Sequence, residues 1–506
     1  MYLSKSRYTS GVQCPKMLWM KQHMPEAYDP SVENQEAFRN GSMVGDLAMG
    51  YYGSYTEVPF VEGQLQEMID ETRRLLAAGT PVICEASFSF DGNFCSADIL
   101  RTEADGVHLV EVKSSTHVNP IYLHDMAYQT WVLSACGLKV KSVSLMHINS
   151  GYVRSGDLDL QQLFTVEDCT AEVMAMLPDV GARIANLKAV ADAEEEPDIP
   201  FGPQCKDPYP CGFTGWCWRE VPHPGVFDLC GIRSDRAFKL MEQGIVCFED
   251  VDAAKVRLTP RQAVQVRAEL EDACALVKPK ELQRFLDALR WPLYFLDFET
   301  WQPAVPPFDG VRPYQQIPTQ YSLHIRQTPD GPLEHREFLA EAGSDPRRAV
   351  AEHLVADIPA DACTLAFNKS FEQGRITELA KAFPDLAEHL MGIRDNMVDL
   401  IDPFKSGACY FRAMGGSNSI KAVLPAMFPD DAELDYHALE GVHNGTEAMT
   451  AFADLANMAP EEAARTREQL LRYCELDTLA MVRVLEKLGE MVPEARVELA
   501  RFPGGF

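Results

Sequence analysis

The chain has 506 residues, more than one domain usually holds, and its 46% hydrophobic and 24% charged residues are ordinary for a globular protein. A formal net charge of −29 argues against adhesion to nucleic acid over the whole surface, leaves room for a local basic groove, and includes acids that a metal site would use. No apolar run reaches membrane-spanning length and Met1–Arg7 leads into no apolar signal core, so a cytoplasmic protein without membrane contact is expected. There the fourteen cysteines stay reduced, and clustered ones point to a metal rather than to disulfides.

In the first segment, residues 1–225, Cys14 stands in Ser10-Gly-Val-Gln-Cys14-Pro-Lys16. Far downstream, Cys205, Cys211 and Cys217 follow at even five-residue gaps among Pro and Gly, as in a turn-rich ligand loop. The gaps are wider than those of zinc fingers, and four thiolates suit a [4Fe–4S] cluster or a zinc ion. Cys84, Cys95, Cys136 and Cys363 read as unrelated buried cysteines.

Between the cysteines, Ile83–Phe90 and Phe94–Leu100 read as strands joined by the hairpin signal Asp91-Gly92. A third strand, His108–Lys113, places Glu111 and Lys113 on one face, with Asp98 at the end of the neighbouring strand. Two acids can bind Mg²⁺ while a lysine beside them orients water. The plain alternative for a strand Glu-x-Lys is a solvated face.

These residues resemble the PD-(D/E)xK nucleases of the RecB type, through Asp98, Glu111-Val112-Lys113 and Gln129 in Tyr128-Gln-Thr-Trp131. One cysteine before and three after this core is similar to the iron–sulfur subgroup that includes the CRISPR adaptation nucleases and AddB. The resemblance implies Asp98 and Glu111 as metal ligands, Lys113 as the catalytic lysine, Gln129 as a substrate or metal-shell contact, and Glu85 as an accessory acid. It departs from many relatives in lacking a histidine in the helical stretch Gly41–Ala48, which leaves Asp46 or Glu36 as substitutes, or a weakened site.

Residues 226–290 read as a helical connector. Asp192–Pro197 is a charged spacer ahead of the cysteine loop. Ala237–Ile245 has helical spacing with Gly244 at its C-terminal end, and Thr259-Pro260 opens a helix predicted to reach Leu276. A helix-hairpin-helix that grips phosphates and a plain connector are both compatible with this.

The last segment, residues 291–506, opens with Tyr294-Phe-Leu-Asp297-Phe-Glu299-Thr300, a buried strand whose two acids share a face. The alternative is an acidic turn after a core strand. Tyr321–Ile325 and His335–Leu339 form a hairpin, Pro346–Ile358 a helix, and Thr364–Asn368 a strand leading through Lys369-Ser-Phe-Glu372 into another helix. Pro460–Leu488 is strongly helical and puts Tyr473 and Asp477 on one face. Asp399 is a further carboxylate, and Gly415–Lys421 ahead of an apolar helix offers either a phosphate site or a loop cap.

The order of acid strand, Asn-x-x-Phe-acid helix start and Tyr-x-x-x-Asp helix resembles the DnaQ-like, RNase H-fold 3′–5′ exonucleases. The resemblance implies that Asp297, Glu299, Glu372 and Asp477 hold two Mg²⁺ or Mn²⁺ ions and that Tyr473 orients the attacking water. Its departure is Glu372, where Asp is usual. The whole is similar to a bacterial family that fuses a RecB-type iron–sulfur half to an RNase H-like half. The expectation is an α/β (α+β) protein and a nuclease with two active sites acting on nucleic acid, DNA favoured, in processing, repair or defence. The alternative is a nucleic-acid-binding scaffold with one or both sites inactive.

Overall fold

The computed structural model describes residues 2–33 and 35–492. The chain is mixed α/β and divides into two units, Met1–Glu220 with Pro303–Tyr314, and Val221–Gln302 with Gln315–Phe506. Residues 226–290, read from the sequence as a connector, fall within the second unit.

The first unit is built on a seven-stranded mixed sheet. Its strands are β1 (Leu3–Ser4), β2 (Thr56–Glu57), β3 (Val82–Phe90), β4 (Asn93–Glu103), β5 (Gly106–Lys113), β6 (Val140–Ile148) and β7 (Phe164–Asp168). They run in the order β2-β3-β4-β5-β6-β7, with β1 beside β4. β3, β4 and β5 are antiparallel. The Asp91-Gly92 turn has φ of +48° and +68°, the two positive values a type I′ hairpin demands. β5 and β6 are parallel, so a crossover must join them.

Helices α1 (Lys5–Gln13), α2 (Pro15–His23) and α3 (Gln35–Met49) precede that crossover, α4 (Pro120–Ala135) makes it, and α5 (Thr170–Ala191) follows. Pro120 occupies the first turn of α4, and the Asn119 side chain caps it by accepting from the Ile121 amide at 3.1 Å. The core beneath joins Leu3, Tyr8, Leu18, Tyr128, Leu133 and Leu187.

The second unit holds β8 (Ala275–Val277), β9 (Leu293–Trp301), β10 (Ile317–Arg326), β11 (Leu333–Leu339), β12 (Cys363–Ala366), β13 (Met397–Asp399) and β14 (Cys409–Phe411). Five of these form a sheet in the order β11-β10-β9-β12-β13, antiparallel across β9 to β11 and parallel beyond. Its helices include α6 (Pro260–Leu270), α7 (Arg347–Asp357), α8 (Ser370–Ala382), α9 (Ile420–Met427) and α10 (Pro460–Glu490).

α6 starts at the predicted cap, where Thr259 Oγ1 accepts from the Gln262 amide at 3.3 Å and Gln262 Oε1 accepts from the Thr259 amide at 3.0 Å. It stops at Leu270, short of the predicted Leu276, because Asp272 takes a left-handed φ of +52° and the chain turns into β8.

Strand periodicity sorts β9 between two cores. Tyr294, Leu296 and Phe298 pack with Val350, Leu354 and Ile376 of α7 and α8. Leu293 and Phe295 point the other way, into the core that α10 shares through Leu470, Tyr473 and Leu476. Asp297 and Glu299 have the parity of Leu293 and Phe295, so they too face α10. Among the described residues no helix is long and apolar enough to cross a membrane.

Polar ties lock α10 onto β10. Gln320 Nε2 donates to the Leu470 carbonyl at 2.8 Å, and the hydroxyls of Ser322 and Thr478 bond at 2.7 Å. His324, 4% exposed, places Nδ1 2.8 Å from Thr478 Oγ1. Burial pushes its pKa from 6.5 down to about 3, with His335 and Arg326 adding to the effect. A histidine depressed in the folded state adds stability above its unfolded value and loses it as the pH falls toward the folded value. Thermal melts at about pH 7 and about pH 4 should therefore show wild type losing about 3 kcal/mol more than His324→Gln. Equal losses would mean that His324 does not resist protonation.

Candidate functional site

In the second unit, carboxylate oxygens of Asp297, Glu299 and Asp477 lie within 4.8 Å of one another. Strand spacing aligns the first two, and α10 carries Asp477 one turn beyond Tyr473. Glu372, in the first turn of α8, is 2% exposed and its Oε2 has no hydrogen-bond partner. Burial pushes the pKa values of Asp297 and Glu299 well above the carboxylate range, and Asp477 and Glu372 raise both further.

Burial also moves Asp477 up to about 6, against the hydroxyls of Tyr436 and Tyr473 and the charge of Lys421. Glu372 is pushed up to about 8 by burial, with Asp399 adding to it. The orphaned oxygen of Glu372 and the all-oxygen donor set fit hard divalent cations such as Mg²⁺ or Mn²⁺.

Around these acids the hydrogen bonds are directional. Tyr436 Oη donates to Asp477 Oδ1 at 2.6 Å. Lys421 Nζ donates to Tyr473 Oη at 3.0 Å and lies 5.1 Å from the centres of the Tyr436 and Tyr473 rings. Asp399 does not join the group: its Oδ1 accepts from the Asn368 amide at 2.8 Å and holds the turn between β12 and α8. There Asn368 takes a φ of +77°, a conformation asparagine tolerates better than most residues.

The glycine loop is a packed connection. Gly416 has φ +83°, and a Cβ on it would lie 2.6 Å from the Asp228 carbonyl. Arg261 donates to the Gly416 carbonyl at 3.1 Å. Asn418 in this loop is buried, with neither side-chain amide atom bonded.

The first unit gathers a different set. Asp98 Oδ2 accepts from the Val112 amide at 2.7 Å. Lys113 Nζ donates to Glu111 Oε1 at 2.6 Å and to Asp125 Oδ2 at 2.9 Å. Gln129 Nε2 donates to Glu111 Oε2 at 2.6 Å and to Asp125 Oδ1 at 3.0 Å. A second ammonium enters from α1: Lys5 Nζ lies 3.0 and 3.3 Å from the two Glu111 oxygens and 3.2 Å from Asp98 Oδ1.

Burial alone would raise Glu111, yet Lys113, Lys5 and Gln129 hold it well below the carboxylate range. Asp98 is pushed up to about 6 by burial and by Glu111. Glu85, at a left-handed φ of +55°, is raised to about 7 by burial and by Asp98. Asp46 lies exposed on α3, and Glu36 accepts from Asn40 Nδ2 at 3.3 Å.

Cys14, Cys211 and Cys217 pack with Met17, Met20 and Phe213. Burial raises these three thiols, and each also feels the charge of Cys205. Thiolates around one zinc ion stand about 3.8 Å apart, from tetrahedral geometry at the Zn–S length. Among the described residues, the ligand groups within 4.8 Å are the Asp297 set and His324, His335 and Glu475; no three of the four cysteines form such a group, so they do not match the thiolate spacing of one zinc ion.

Three participants escaped the sequence reading. Asp125 stands four residues before Gln129 on α4, a helical spacing that could have flagged it. Lys5 and Tyr436 meet the acids only through tertiary folding, and nothing in their local sequence marks them.

Residues 294–419 match the profile of a domain of unknown function (DUF2779). The match takes in Asp297, Glu299 and Glu372 and ends before Tyr436, Tyr473 and Asp477. The chain is also similar to two curated relatives. One is the uncharacterized protein MG366 homolog of Mycoplasma pneumoniae, 27% identical over 205 residues, which are 38% of this chain and 31% of that protein. The other is the uncharacterized protein MG366 of Mycoplasma genitalium, 24% identical over 215 residues, 39% of this chain and 32% of the relative. The chain thus spans about a third of the length of the curated relatives it matches.

Removing one buried like charge should relieve the metal-free protein. Asp297→Asn is expected to stabilise the metal-free chain by about 1 kcal/mol, and Mn²⁺ is expected to raise the melting temperature of wild type much more than that of the variant. Melts with chelator and with Mn²⁺ measure both; a variant less stable than wild type in chelator would mark the carboxylate as structural.

Proposed function

We propose that the second unit is a metal-dependent nuclease centre that hydrolyses phosphodiester bonds of nucleic acid, with DNA the favoured substrate and 3′ ends the point of attack. The observation that carries this reading is the convergence of Asp297, Glu299 and Asp477, with Glu372 close enough to raise two of them. It accords with the DnaQ-like order of motifs along the chain. Asp297, Glu299, Glu372 and Asp477 would hold the ions. Bound Mg²⁺ or Mn²⁺ supplies water activation and stabilises the charge that develops on the leaving oxygen.

The protein's own groups do the positioning. Tyr436 fixes the orientation of Asp477 through its 2.6 Å hydrogen bond. Burial and the surrounding acids hold the Tyr473 phenol far above its usual pKa, so it stays protonated and can donate to the attacking water. Lys421 keeps that phenol in place and brings positive charge to a strongly acidic pocket.

For the first unit the resemblance implies a RecB-type nuclease half. The specific contacts of Lys5 favour the other reading there, a nucleic-acid-binding scaffold without cleavage. Cys14, Cys205, Cys211 and Cys217 would hold a [4Fe–4S] cluster, with zinc the alternative, and such a cluster would tie together the two ends of this unit. This reading places the protein in the cytoplasm, among enzymes of DNA processing, repair or defence.

Digestion of 5′- and 3′-labelled DNA and RNA with Mg²⁺ or Mn²⁺ tests the proposal. Release of mononucleotides from 3′ ends is expected, falling to background in Asp297→Asn and by about 10–100-fold in Tyr436→Phe. Tight strand binding with no cation-dependent cleavage would establish the scaffold reading for both units.

A further inference from the structure

The acids of the first unit do not fit a divalent cation as those of the second do. Glu111 is fully buried, and both of its oxygens and one of Asp98 lie within 3.3 Å of Lys5 Nζ. These are the oxygens an ion bridging the two residues would take. An octahedral Mg²⁺ needs them at about 2.0–2.1 Å, which leaves no room for an ammonium between them. The remaining oxygen of Asp98 is engaged by the Val112 amide, and Glu111 also receives Lys113 and Gln129.

The charge balance differs in the same sense. Asp98, Glu111 and Asp125 meet two ammoniums, Lys5 and Lys113. In the second unit, Asp297, Glu299 and Asp477 converge, and among the described residues the ammonium beside them is that of Lys421.

Lys5 is not a loose terminal side chain that has fallen into a gap. It begins α1 directly after β1, whose Leu3 and Ser4 pair in parallel with Asn93 and Phe94. Leu3 is fully buried; its amide donates to the Gly92 carbonyl at 2.9 Å, and its carbonyl accepts from Tyr128 Oη at 2.6 Å. Ser4 caps the helix by accepting from the Arg7 amide at 3.3 Å. The backbone on both sides of Lys5 is therefore fixed, and the ammonium is delivered as reproducibly as the acids it meets.

We propose that Lys5 takes the place of the divalent cation in the first unit, so that the Asp98–Glu111 pair is neutralised from within the chain and takes up neither Mg²⁺ nor Mn²⁺. The acids then serve to hold the two lysines and Gln129 in a fixed array, and the unit works without a resident ion at this position.

Counting bound Mn²⁺ on the full-length chain by the paramagnetic resonance of the free ion tests this. Asp98→Asn should leave the Mn²⁺ stoichiometry of wild type unchanged, whereas Lys5→Gln should gain one further Mn²⁺ per chain, lost again in Lys5→Gln/Asp98→Asn. Loss of one Mn²⁺ in Asp98→Asn alone would overturn the proposal, because the ion would then be displacing Lys5 in wild type. A Lys5→Gln chain with native circular dichroism and no added Mn²⁺ would overturn it equally. The Asp98→Asn comparison holds even if Lys5→Gln does not fold. The count for Asp297→Asn reports separately on the second unit, so failure of one reading is distinguishable from failure of the other.

Discussion

Three carboxylates within 4.8 Å of one another, with a fourth nearby, are an expensive arrangement to bury. The fold of the second unit follows from the need to keep them there. Asp297 and Glu299 cannot turn away, because the opposite face of β9 is occupied by Tyr294, Leu296 and Phe298 in the core with α7 and α8. Each such side chain contributes about 1.5–3 kcal/mol through burial, enough together to hold the strand register against the repulsion on the other side. A one-residue slip would put the acids into that apolar core and the aromatic rings against Asp477.

α10 closes the arrangement from the far side. Buried positions recur in every turn from Leu470 to Leu488, so it is held by packing along its second half. Asp477 arrives in that packed stretch beside Tyr473, and the hydroxyls of Tyr436 and Tyr473 temper its charge without removing it. A core this well filled leaves the acids little freedom to relax apart, and that gives the pocket its demand for positive charge.

The strands and long helices were legible in the sequence because their signals are local. Asp91-Gly92 announces a hairpin, Thr259-Pro260 a helix start, and period-two alternation the two faces of β9. The pairs Asp297/Glu299 and Tyr473/Asp477 are legible for the same reason, each set by the repeat of its own element, whereas joining the two pairs rests on the resemblance of their order to the DnaQ-like exonucleases. What stayed hidden depends on distance along the chain. Lys5 reaches Glu111 across more than a hundred residues, and Tyr436 reaches Asp477 from a short turn with no periodicity. Asp399 shows the converse: a carboxylate beside a site, near in sequence to plausible partners, is committed to the backbone of a turn. Gly416 is similar, since its glycine is required by close packing against Asp228 and not by a ligand.

The two units therefore answer one electrostatic problem in two ways. In both, acids project from strands of a mixed sheet, Asp98 from the middle of β4 and not from its end as the sequence suggests, and in both the repulsion must be met. The first unit meets it with ammonium groups on short tethers whose backbones are hydrogen-bonded in place. The second leaves it largely unmet, with one lysine already engaged by Tyr473. A site whose acids are already paired with lysines gains little from an ion, because the ion must displace a lysine and bury it elsewhere or expel it into water. A site left unbalanced gains the full attraction. Motif resemblance alone would assign both the same chemistry; the position of a single ammonium separates them.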